Sequence, residues 1–360
     1  MGKALIFGTG DYYQNKKHSI CDEIIGYIDN FKSGLFEGMQ IYKPQEIKEL
    51  VYDKIYVMGG EGIFTEMVYQ LLEAGAERDK IVIGQNLAPH TVRESLCLAD
   101  GAEFFINSQR QLCYRKKEIV ISFYTYDEYC GIWDIYGENV YDYTACADGQ
   151  DQIVIDIGMN IGAASIYFAS RDDVRKVYAY EPFPDTYHHA LDNIKASGLV
   201  HEKICAVNAG LSSTSEKQTV HYNASMTCGM TIEESLKKRT VRQYQEWGYY
   251  DENKSQTVQI QVLDAAEEIG RIIAGHKNET IILKMDCEGS EYAVLQRLDE
   301  CRLINKIAVV MMEWHYYGRE KVEAYLKKNG FVFFSFQKNE SMGVIYAVNM
   351  ADKNLKDKGL

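Results

Sequence analysis

Three carboxylates follow one lysine within the segment "LKMDCEGSE", residues 283–291. The period of a strand places Lys284 and Asp286 on one face, and Glu288 and Glu291 follow in the first turn of a helix pattern. A carboxylate at such a strand end can act as a general base, whereas a lysine in an apolar strand needs an acidic partner. Asp286 and then Glu288 are therefore the predicted catalytic residues. Helix capping and ion pairing are the alternative roles of these acids.

The next strand, "MMEWH", ends at His315, which is a further candidate proton acceptor. A structural role, which is the more common one for a histidine beside aromatic residues, is the alternative. Asp264 ends another predicted strand, and together with Asp286 and Glu288 it could hold Mg²⁺ through oxygen ligands. No spacing rule requires a metal there, since ion pairing would account for the same acids. A divalent cation is therefore a secondary expectation.

A glycine-containing turn points to a bound nucleotide. The stretch "IVIDIGMNIG" reads as a buried strand containing Asp156, followed by a turn with Gly158, Asn160 and Gly162. Glycine lets the backbone approach a ligand closely, and asparagine tolerates strained turns. Because ligands of open α/β sheets bind beyond the carboxyl ends of the strands, these four residues are predicted to contact a cofactor. Any tight strand-to-helix turn could also use two glycines.

Glu181 ends the next predicted strand, "KVYAYEP". A carboxylate at this position can accept hydrogen bonds from both hydroxyls of an adenosine ribose. A capping or surface glutamate is the alternative. With the glycine turn one strand away, we predict the ribose role.

The elements that position these residues alternate between strand and helix from about residue 151 onward. They predict a doubly wound α/β domain that ends in an antiparallel hairpin, "GFVFFSF" and "GVIYAVN". A polar insertion at residues 212–256 follows the third strand, where a lid over an acceptor would lie. Its aromatic residues could stack on a sugar ring, pack a lid helix or form an oligomer contact: Tyr244, Trp247, Tyr249 and Tyr250.

The ordered motifs "DIGMNIGAAS", "YAYEPFP", "NAGL", "LD" and "ILKMDCEGSEYAVL" closely resemble the FkbM family of methyltransferases, over about residues 152–349. The resemblance implies a seven-stranded Rossmann-like domain, S-adenosylmethionine as cofactor and O-methylation, often of sugars or secondary-metabolite hydroxyls. It also implies that Asn208, in "NAGL", and Asp286 bind the cofactor. Met159 stands where the family usually has a small residue, and its unbranched side chain can turn aside.

Residues 1–90 predict a smaller parallel α/β domain, preceding a connector or cap at 91–150 and the methyltransferase domain at 151–360. Gly8 and Gly10 follow its first strand and Asp29 ends its second, which repeats the pattern of a nucleotide site. The segment resembles small Rossmann-like domains attached to sugar-modifying enzymes. The helix pattern after Gly10 is polar and lacks a third glycine, so a structural or dimerising role is the alternative.

The composition of the chain indicates which classes of partner and which cellular compartment to expect. Its 360 residues carry a net charge of −13, which argues against a nucleic-acid backbone as partner. The nine cysteines form no C-x-x-C pair, which favours a reducing compartment over disulfides or a zinc site. No stretch approaches the roughly 18 apolar residues that span a membrane. We therefore expect a cytoplasmic protein, without membrane insertion, that acts on a small-molecule or saccharide acceptor and could form a homo-oligomer.

Together, these features predict an O-methyltransferase for a sugar-containing or other small hydroxylated metabolite. The alternative is a catalytically inactive protein that binds or senses S-adenosylmethionine or a nucleotide-sugar. A nicotinamide oxidoreductase is a third hypothesis. The acids on the acceptor side favour the enzyme, because a sensor does not need them.

Overall fold

The computed structural model describes residues 2–60, 63–89, 91–142 and 151–350. The chain divides into two compact units, Met1–Asn139 and Val140–Leu360. Among the described residues, every helix is too short or too polar to cross a bilayer.

The first unit is built on a six-stranded sheet in the order β3-β4-β2-β1-β5-β6, parallel except for β3. Its strands and first two helices are β1 Lys3–Phe7, α1 Asp11–Lys16, β2 Glu23–Ile28, β3 Gly34–Phe36, β4 Met39–Tyr42, β5 Lys54–Val57, α2 Phe64–Glu73 and β6 Ile81–Ile83. The central strand β1 is an apolar run buried on both faces, as expected for a parallel sheet covered by helices. The predicted small parallel α/β domain is therefore present.

In the predicted nucleotide turn of this unit, the carboxylate of Asp29 is hydrogen-bonded to neighbouring residues of the same unit. The Thr9 hydroxyl donates to Asp29 Oδ2 at 3.0 Å, and Asp29 Oδ1 accepts the backbone N–H groups of Phe31 and Lys32, each at 2.9 Å. Helix α1 has only six residues. These contacts support the structural role of Asp29, and ligand binding by this unit stays a prediction.

Residues 91–139, predicted as part of a connector, belong to the first unit. They form α3 Val92–Cys97, β7 Glu103–Ile106, β8 Leu112–Lys116, β9 Ile119–Phe123 and α4 Tyr126–Tyr136, and the three strands make an antiparallel sheet. The Phe64 ring packs edge-to-face against Phe104, Phe123 and Tyr129, which explains why the aromatic residues here are buried. Within the remainder of the predicted connector, residues 143–150 lie outside the described residues.

The second unit contains the predicted seven-stranded sheet, in the order β12-β11-β10-β16-β17-β19-β18. Its strands are β10 Gln152–Ile157, β11 Val174–Tyr180, β12 Ile204–Val207, β16 Thr280–Met285, β17 Val309–His315, β18 Phe331–Asn339 and β19 Met342–Asn349. Five strands are parallel, whereas β19 is antiparallel to both β17 and β18. The predicted terminal hairpin is thereby confirmed.

Five helices connect or follow these strands: α5 Ala163–Ala169, α6 Pro184–Ala196, α8 Ala265–Gly275, α9 Glu291–Glu300 and α10 Glu320–Lys328. Strands β10 and β16 lie side by side in the middle of the sheet, and every residue in them is buried. Since parallel strands end at the same edge of a sheet, the turns after β10, β11, β16 and β17 share one edge.

The predicted insertion folds on a second, three-stranded sheet. It comprises β13 Gly210–Ser212, β14 Glu216–Asn223 and β15 Ser255–Asp264, in the order β13-β15-β14, and carries the helix α7 Lys237–Trp247. Strand β14 pairs antiparallel with β15 along its whole length. Helix α7 ends at Trp247, where Gly248 has a φ of +78°.

Candidate active site

The turn after β10 is held in a conformation that needs its glycines. Gly158, Asn160 and Gly162 all have positive φ, at +84°, +50° and +88°. A Cβ at Gly158 would overlap the backbone carbonyl oxygen of Asp286. The Asp286 N–H also donates to Ile157 O at 3.0 Å. The glycine turn is thus packed directly against the loop that follows β16.

A buried ion pair between Lys284 and Asp156 holds this turn in place. Lys284 Nζ lies 2.9 Å from Asp156 Oδ1 and donates to Gly158 O at 2.7 Å, while the Ser165 hydroxyl donates to Asp156 Oδ2 at 2.6 Å. Burial alone would lower the pKa of Lys284, but the charges of Asp156 and Asp286 together outweigh burial and raise it. Asp156 is therefore the acid that the strand lysine required. Its carboxylate is fully buried and supports the turn, and its predicted contact with the cofactor stays a prediction.

Glu181 joins the turn after β10 to the turn after β11. Its Oε2 accepts the Asn160 N–H at 2.9 Å, and its Oε1 accepts the Phe183 N–H at 3.1 Å. Burial raises the pKa of this carboxyl group to about 7. Each carboxylate oxygen has a second lone pair, so the two oxygens can still accept hydrogen bonds from a pair of hydroxyls.

The structure brings Gly158, Asn160, Glu181 and Asp286 to one edge of the sheet, as predicted. Asn160 also uses its side-chain amide to contact Cys228 Sγ, at 3.2 Å, in the insertion. Asn208 instead donates its amide to the carbonyl oxygens of Glu181 and Pro182, at 2.8 and 3.2 Å. Its position therefore indicates that it fixes the segment after β11.

The predicted catalytic residues form one cluster at the same edge. One ligand atom from each of Asp286, Glu288 and His315 lies within 4.8 Å of the others. The His315 Nε2 atom is 3.5 Å from Glu288 Oε1 and 3.9 Å from Asp286 Oδ1. Exposure decreases from Asp286 (35% of the side chain) through Glu288 (14%) to His315 (3%). Asp286 is thus the member that an acceptor reaches most easily.

Glu291 orients the residues of this cluster but is itself fully buried. Its fully buried carboxylate accepts the backbone N–H groups of Cys287, at 3.0 Å, and Gly289, at 2.8 Å. Its Oε1 also lies 2.9 Å from His315 Nδ1. Glu291 therefore closes the loop after β16 and fixes the histidine ring.

In this cluster, nearby groups of opposite charge shift the pKa values of His315 and Glu288 in the direction opposite to the effect of burial. Burial alone would lower the pKa of His315, but the carboxylates of Glu288 and Glu291 raise it well above its ordinary value. Burial raises the pKa of Glu288 well above its usual range, and the nearby His315 reduces this shift. The loop also places Glu288 at a φ of +51°, a conformation unusual for a glutamate.

The predicted Mg²⁺ set that included Asp264 is wrong in this structure. Asp264 is the N-cap of α8 and accepts the N–H groups of Ala266, at 2.8 Å, and Glu267, at 3.1 Å. Its Oδ2 also accepts two hydrogen-bond contacts from the Arg297 guanidinium, both at 2.8 Å. Its lone pairs are therefore used by the cap and this ion pair, and the carboxylate cluster includes His315 instead.

The insertion covers the loop that carries the cluster. The Thr231 hydroxyl donates to Glu288 O at 2.7 Å, and the Ser290 hydroxyl donates to Glu233 Oε1 at 3.4 Å. A Cβ at Gly289 would overlap the Leu236 side chain, so glycine lets the insertion pack closely there. These contacts agree with the predicted position of a lid.

The four aromatic residues of the insertion divide between two of the predicted roles. Tyr244 is buried in the small core beneath α7, and Tyr250 packs against the same core. Trp247 and Tyr249 are exposed. Packing thus explains the first pair, and the second pair has the exposure that ring stacking requires.

Two residues of this region were not among those predicted from the sequence. Glu313 precedes His315 by two positions on the same face of β17, and its Oε1 lies 3.8 Å from His315 Nε2. The strand period of "MMEWH" was a usable signal for it. The second is Tyr141, whose ring centroid lies 5.8 Å from Lys284 Nζ. Burial, followed by the charges of Asp286, Glu313 and Asp156, raises the pKa of Tyr141 well above its ordinary value.

Comparisons with known proteins agree with the motif pattern. Residues 156–333 match a family described as the methyltransferase FkbM domain, and residues 1–82 match a family described as C2185-like, N-terminal. Methyltransferase sdnD of Sordaria araneosa is 26% identical over 215 residues, which are 55% of this chain and 80% of that protein.

Two solved structures show looser similarity. Methyltransferase FkbM from Methylobacillus flagellatus KT is 12% identical with a TM-score of 0.35, over 96% of this chain and 90% of that one. TrmK from M. capricolum, solved with S-adenosyl-homocysteine, is 10% identical with a TM-score of 0.30, over 57% of this chain and 66% of that one. From the family match and the motifs, residues 156–333 of this chain belong to the FkbM family of S-adenosylmethionine-dependent methyltransferases.

Proposed function

We propose that the chain transfers a methyl group from S-adenosylmethionine to a hydroxyl group of a sugar-containing or other small hydroxylated metabolite. The observation that carries this proposal is the position of the loop after β16. Its Asp286 backbone packs against Gly158 in the glycine turn, and its Asp286 carboxylate belongs to the cluster with Glu288 and His315. Cofactor and acceptor would therefore meet at one residue.

The residues of the glycine turn fit the cofactor. Glu181 offers two carboxylate oxygens, each with one lone pair beyond its backbone hydrogen bond. The glycines remove side chains where a ligand would pass over the turn. When bound, S-adenosylmethionine supplies an electrophilic methyl group on its sulfonium. Glu181 would hold the ribose, and the turn would fix the depth of the adenosyl group.

The cluster of Asp286, Glu288 and His315 would contact the methyl acceptor. Methyl transfer is an in-line displacement, so most of its acceleration comes from holding the acceptor oxygen in position. Asp286 is the most exposed of the three predicted catalytic residues, and we assign it the hydrogen bond from the acceptor hydroxyl. The proton of that hydroxyl passes to the Asp286 carboxylate as the new carbon–oxygen bond forms, and from there to solvent.

A saccharide acceptor is supported by the insertion and by charge. Exposed aromatic rings, here Trp247 and Tyr249, present flat apolar surfaces with polar tips, which suit the faces and hydroxyls of a sugar. Carboxylates accept hydrogen bonds from neighbouring hydroxyls. The net charge of −13 also favours a small acceptor over a nucleic acid.

The test compares binding with turnover in the variant Asp286→Asn. We expect calorimetric affinity for S-adenosylhomocysteine to stay within about twofold, because only the Asp286 backbone packs on the glycine turn. Turnover with hydroxylated acceptors is expected to fall about 10²- to 10⁴-fold, the usual contribution of a general base. Glu234→Gln removes an exposed carboxylate of the insertion and serves as the control.

Two results would contradict this assignment. Equal losses of affinity and turnover in Asp286→Asn would place Asp286 in the cofactor site alone. Cofactor binding by the wild-type chain without transfer to any hydroxylated acceptor would favour the alternative, an inactive S-adenosylmethionine or nucleotide-sugar sensor.

A further inference from the structure

We propose that Asp286, Glu288 and His315 bind a divalent cation of the first transition row beside the acceptor. One ligand atom from each side chain lies within 4.8 Å of the others. The binding of the cation rests on these three side chains, and only its role in catalysis rests on the proposed function.

The hydrogen bond at Nδ1 fixes which ring nitrogen of His315 is available. Nδ1 is 2.9 Å from Glu291 Oε1. Glu291 also accepts backbone N–H groups at both oxygens, so its Oε1 acts as an acceptor toward Nδ1 as well. We therefore assign a proton to Nδ1, and a cation would bind Nε2 in place of the proton that the neighbouring carboxylates hold there. Metal-binding histidines are commonly oriented by such a carboxylate.

The surroundings of Nε2 fit an ion better than a hydrogen bond. The imidazole is almost fully buried, and Nε2 faces Glu288, Glu313 and Asp286 oxygens at 3.5, 3.8 and 3.9 Å. Hydrogen bonds from nitrogen to oxygen are about 2.7–3.2 Å long, so these separations are too large. Ligand atoms about 2.1 Å from a tetrahedral ion are roughly 3.4 Å apart. A cation between these atoms would also offset the mutual repulsion of the carboxylates.

The composition of the cluster selects the class of cation. Asp286, Glu288 and Glu313 face one imidazole, and Lys338 pairs with Glu313 Oε2 at 3.1 Å. A divalent cation compensates the two remaining carboxylates. Imidazole with carboxylates suits Mn²⁺, Fe²⁺ or Zn²⁺, whereas Mg²⁺ and Ca²⁺ prefer oxygen ligands alone. The inclusion of His315 thus changes the expected metal from Mg²⁺ to this group.

A cation at this position would act on the acceptor. It would polarise the acceptor hydroxyl and lower its pKa, so that a weakly basic carboxylate suffices to take the proton. The oxygen–methyl bond forms as the sulfur–methyl bond breaks, and the sulfonium becomes a neutral thioether. The released proton passes through Asp286 to solvent, which balances the charge.

The test titrates the full-length chain with Mn²⁺ after chelation, and follows free Mn²⁺ by electron paramagnetic resonance. Mn²⁺ is the probe because it prefers oxygen and imidazole to the thiolates of the cysteines. We expect one bound Mn²⁺ per chain and at least about tenfold weaker binding in Asp286→Asn. Glu291→Gln should weaken binding about 10- to 100-fold by releasing the imidazole. The control Glu234→Gln should bind as the wild type does.

Folding is checked by thermal melts, and Asp286→Asn keeps the test decisive because its side chain is partly exposed. Absence of Mn²⁺ binding to the wild-type chain, or equal binding by Asp286→Asn, overturns the inference. Methyl transfer is measured before and after chelation. If the chain transfers methyl groups but does not bind Mn²⁺, the proposed cation site is refuted and the proposed function stands. Mn²⁺ binding without transfer supports the cation and counts against the proposed function.

Discussion

Replacing Glu181 by glutamine tests the cofactor site most directly. Both carboxylate oxygens accept a backbone N–H, from Asn160 and from Phe183. Glutamine has one oxygen, so its NH₂ group must face one of these donors and leave it unpaired in a buried place. That mismatch costs about 1–3 kcal/mol. Hydrogen bonds from the ribose also weaken when their acceptor loses its charge, by roughly 1 kcal/mol each.

Part of the mismatch is present in the free protein too, so we take about 2–3 kcal/mol as the loss in binding. This corresponds to a dissociation constant for S-adenosylhomocysteine that is about 30- to 150-fold higher. Isothermal titration measures it directly. Glu202→Gln, an exposed glutamate of the same unit, is the matched control. A change below threefold in Glu181→Gln would refute the ribose contact.

The pH dependence of binding gives a second readout for the same residue. Burial holds the pKa of Glu181 at about 7 in the free protein. Ribose hydroxyls donate to the charged form, so cofactor affinity should rise with pH through this value and level off above it. Between pH 6 and 8 the gain approaches tenfold if only the ionised form binds. The slope should disappear in Glu181→Gln, and a flat wild-type profile would contradict the assignment.

Two further predictions concern the supports of the site. Gly158→Ala should destabilise the chain by at least about 2 kcal/mol more than Gly248→Ala. Both glycines have positive φ, but only a Cβ at Gly158 meets a described backbone atom; chemical unfolding measures the difference, and similar losses would refute the close packing. Asp264→Ala should lower stability by about 1 kcal/mol through the lost cap and leave cofactor and Mn²⁺ affinities within twofold. Weaker Mn²⁺ binding in that variant would restore Asp264 to the metal site.

The sequence was sufficient for the residues whose role depends on strand period and strand ends. The glycine turn, Glu181, Asp286 and His315 all lie at the ends of strands, and parallel strands bring their ends to one edge. The need of Lys284 for an acid was also readable, because a charge inside a buried strand requires a partner.

The sequence did not identify the role of a residue where that role depends on tertiary packing. Asp264 ends a strand like the other acids, but that strand pairs in the small sheet of the insertion and its carboxylate caps α8. The partner of Lys284 could be any nearby acid until Asp156 was placed opposite it in β10. In the first unit, residues 103–123 form short antiparallel strands whose burial comes from aromatic packing, which leaves little periodic signal.

The close packing of Gly158 on the Asp286 carbonyl has a consequence for engineering new acceptors. Any redesign that shifts the backbone at Asp286 to admit a different molecule also displaces the glycine turn, which we propose holds the methyl donor. If the insertion binds the acceptor as proposed, exchanges at its exposed Trp247 and Tyr249 alter selectivity without changing this contact. Libraries at these two positions should retain donor affinity while the range of accepted alcohols widens.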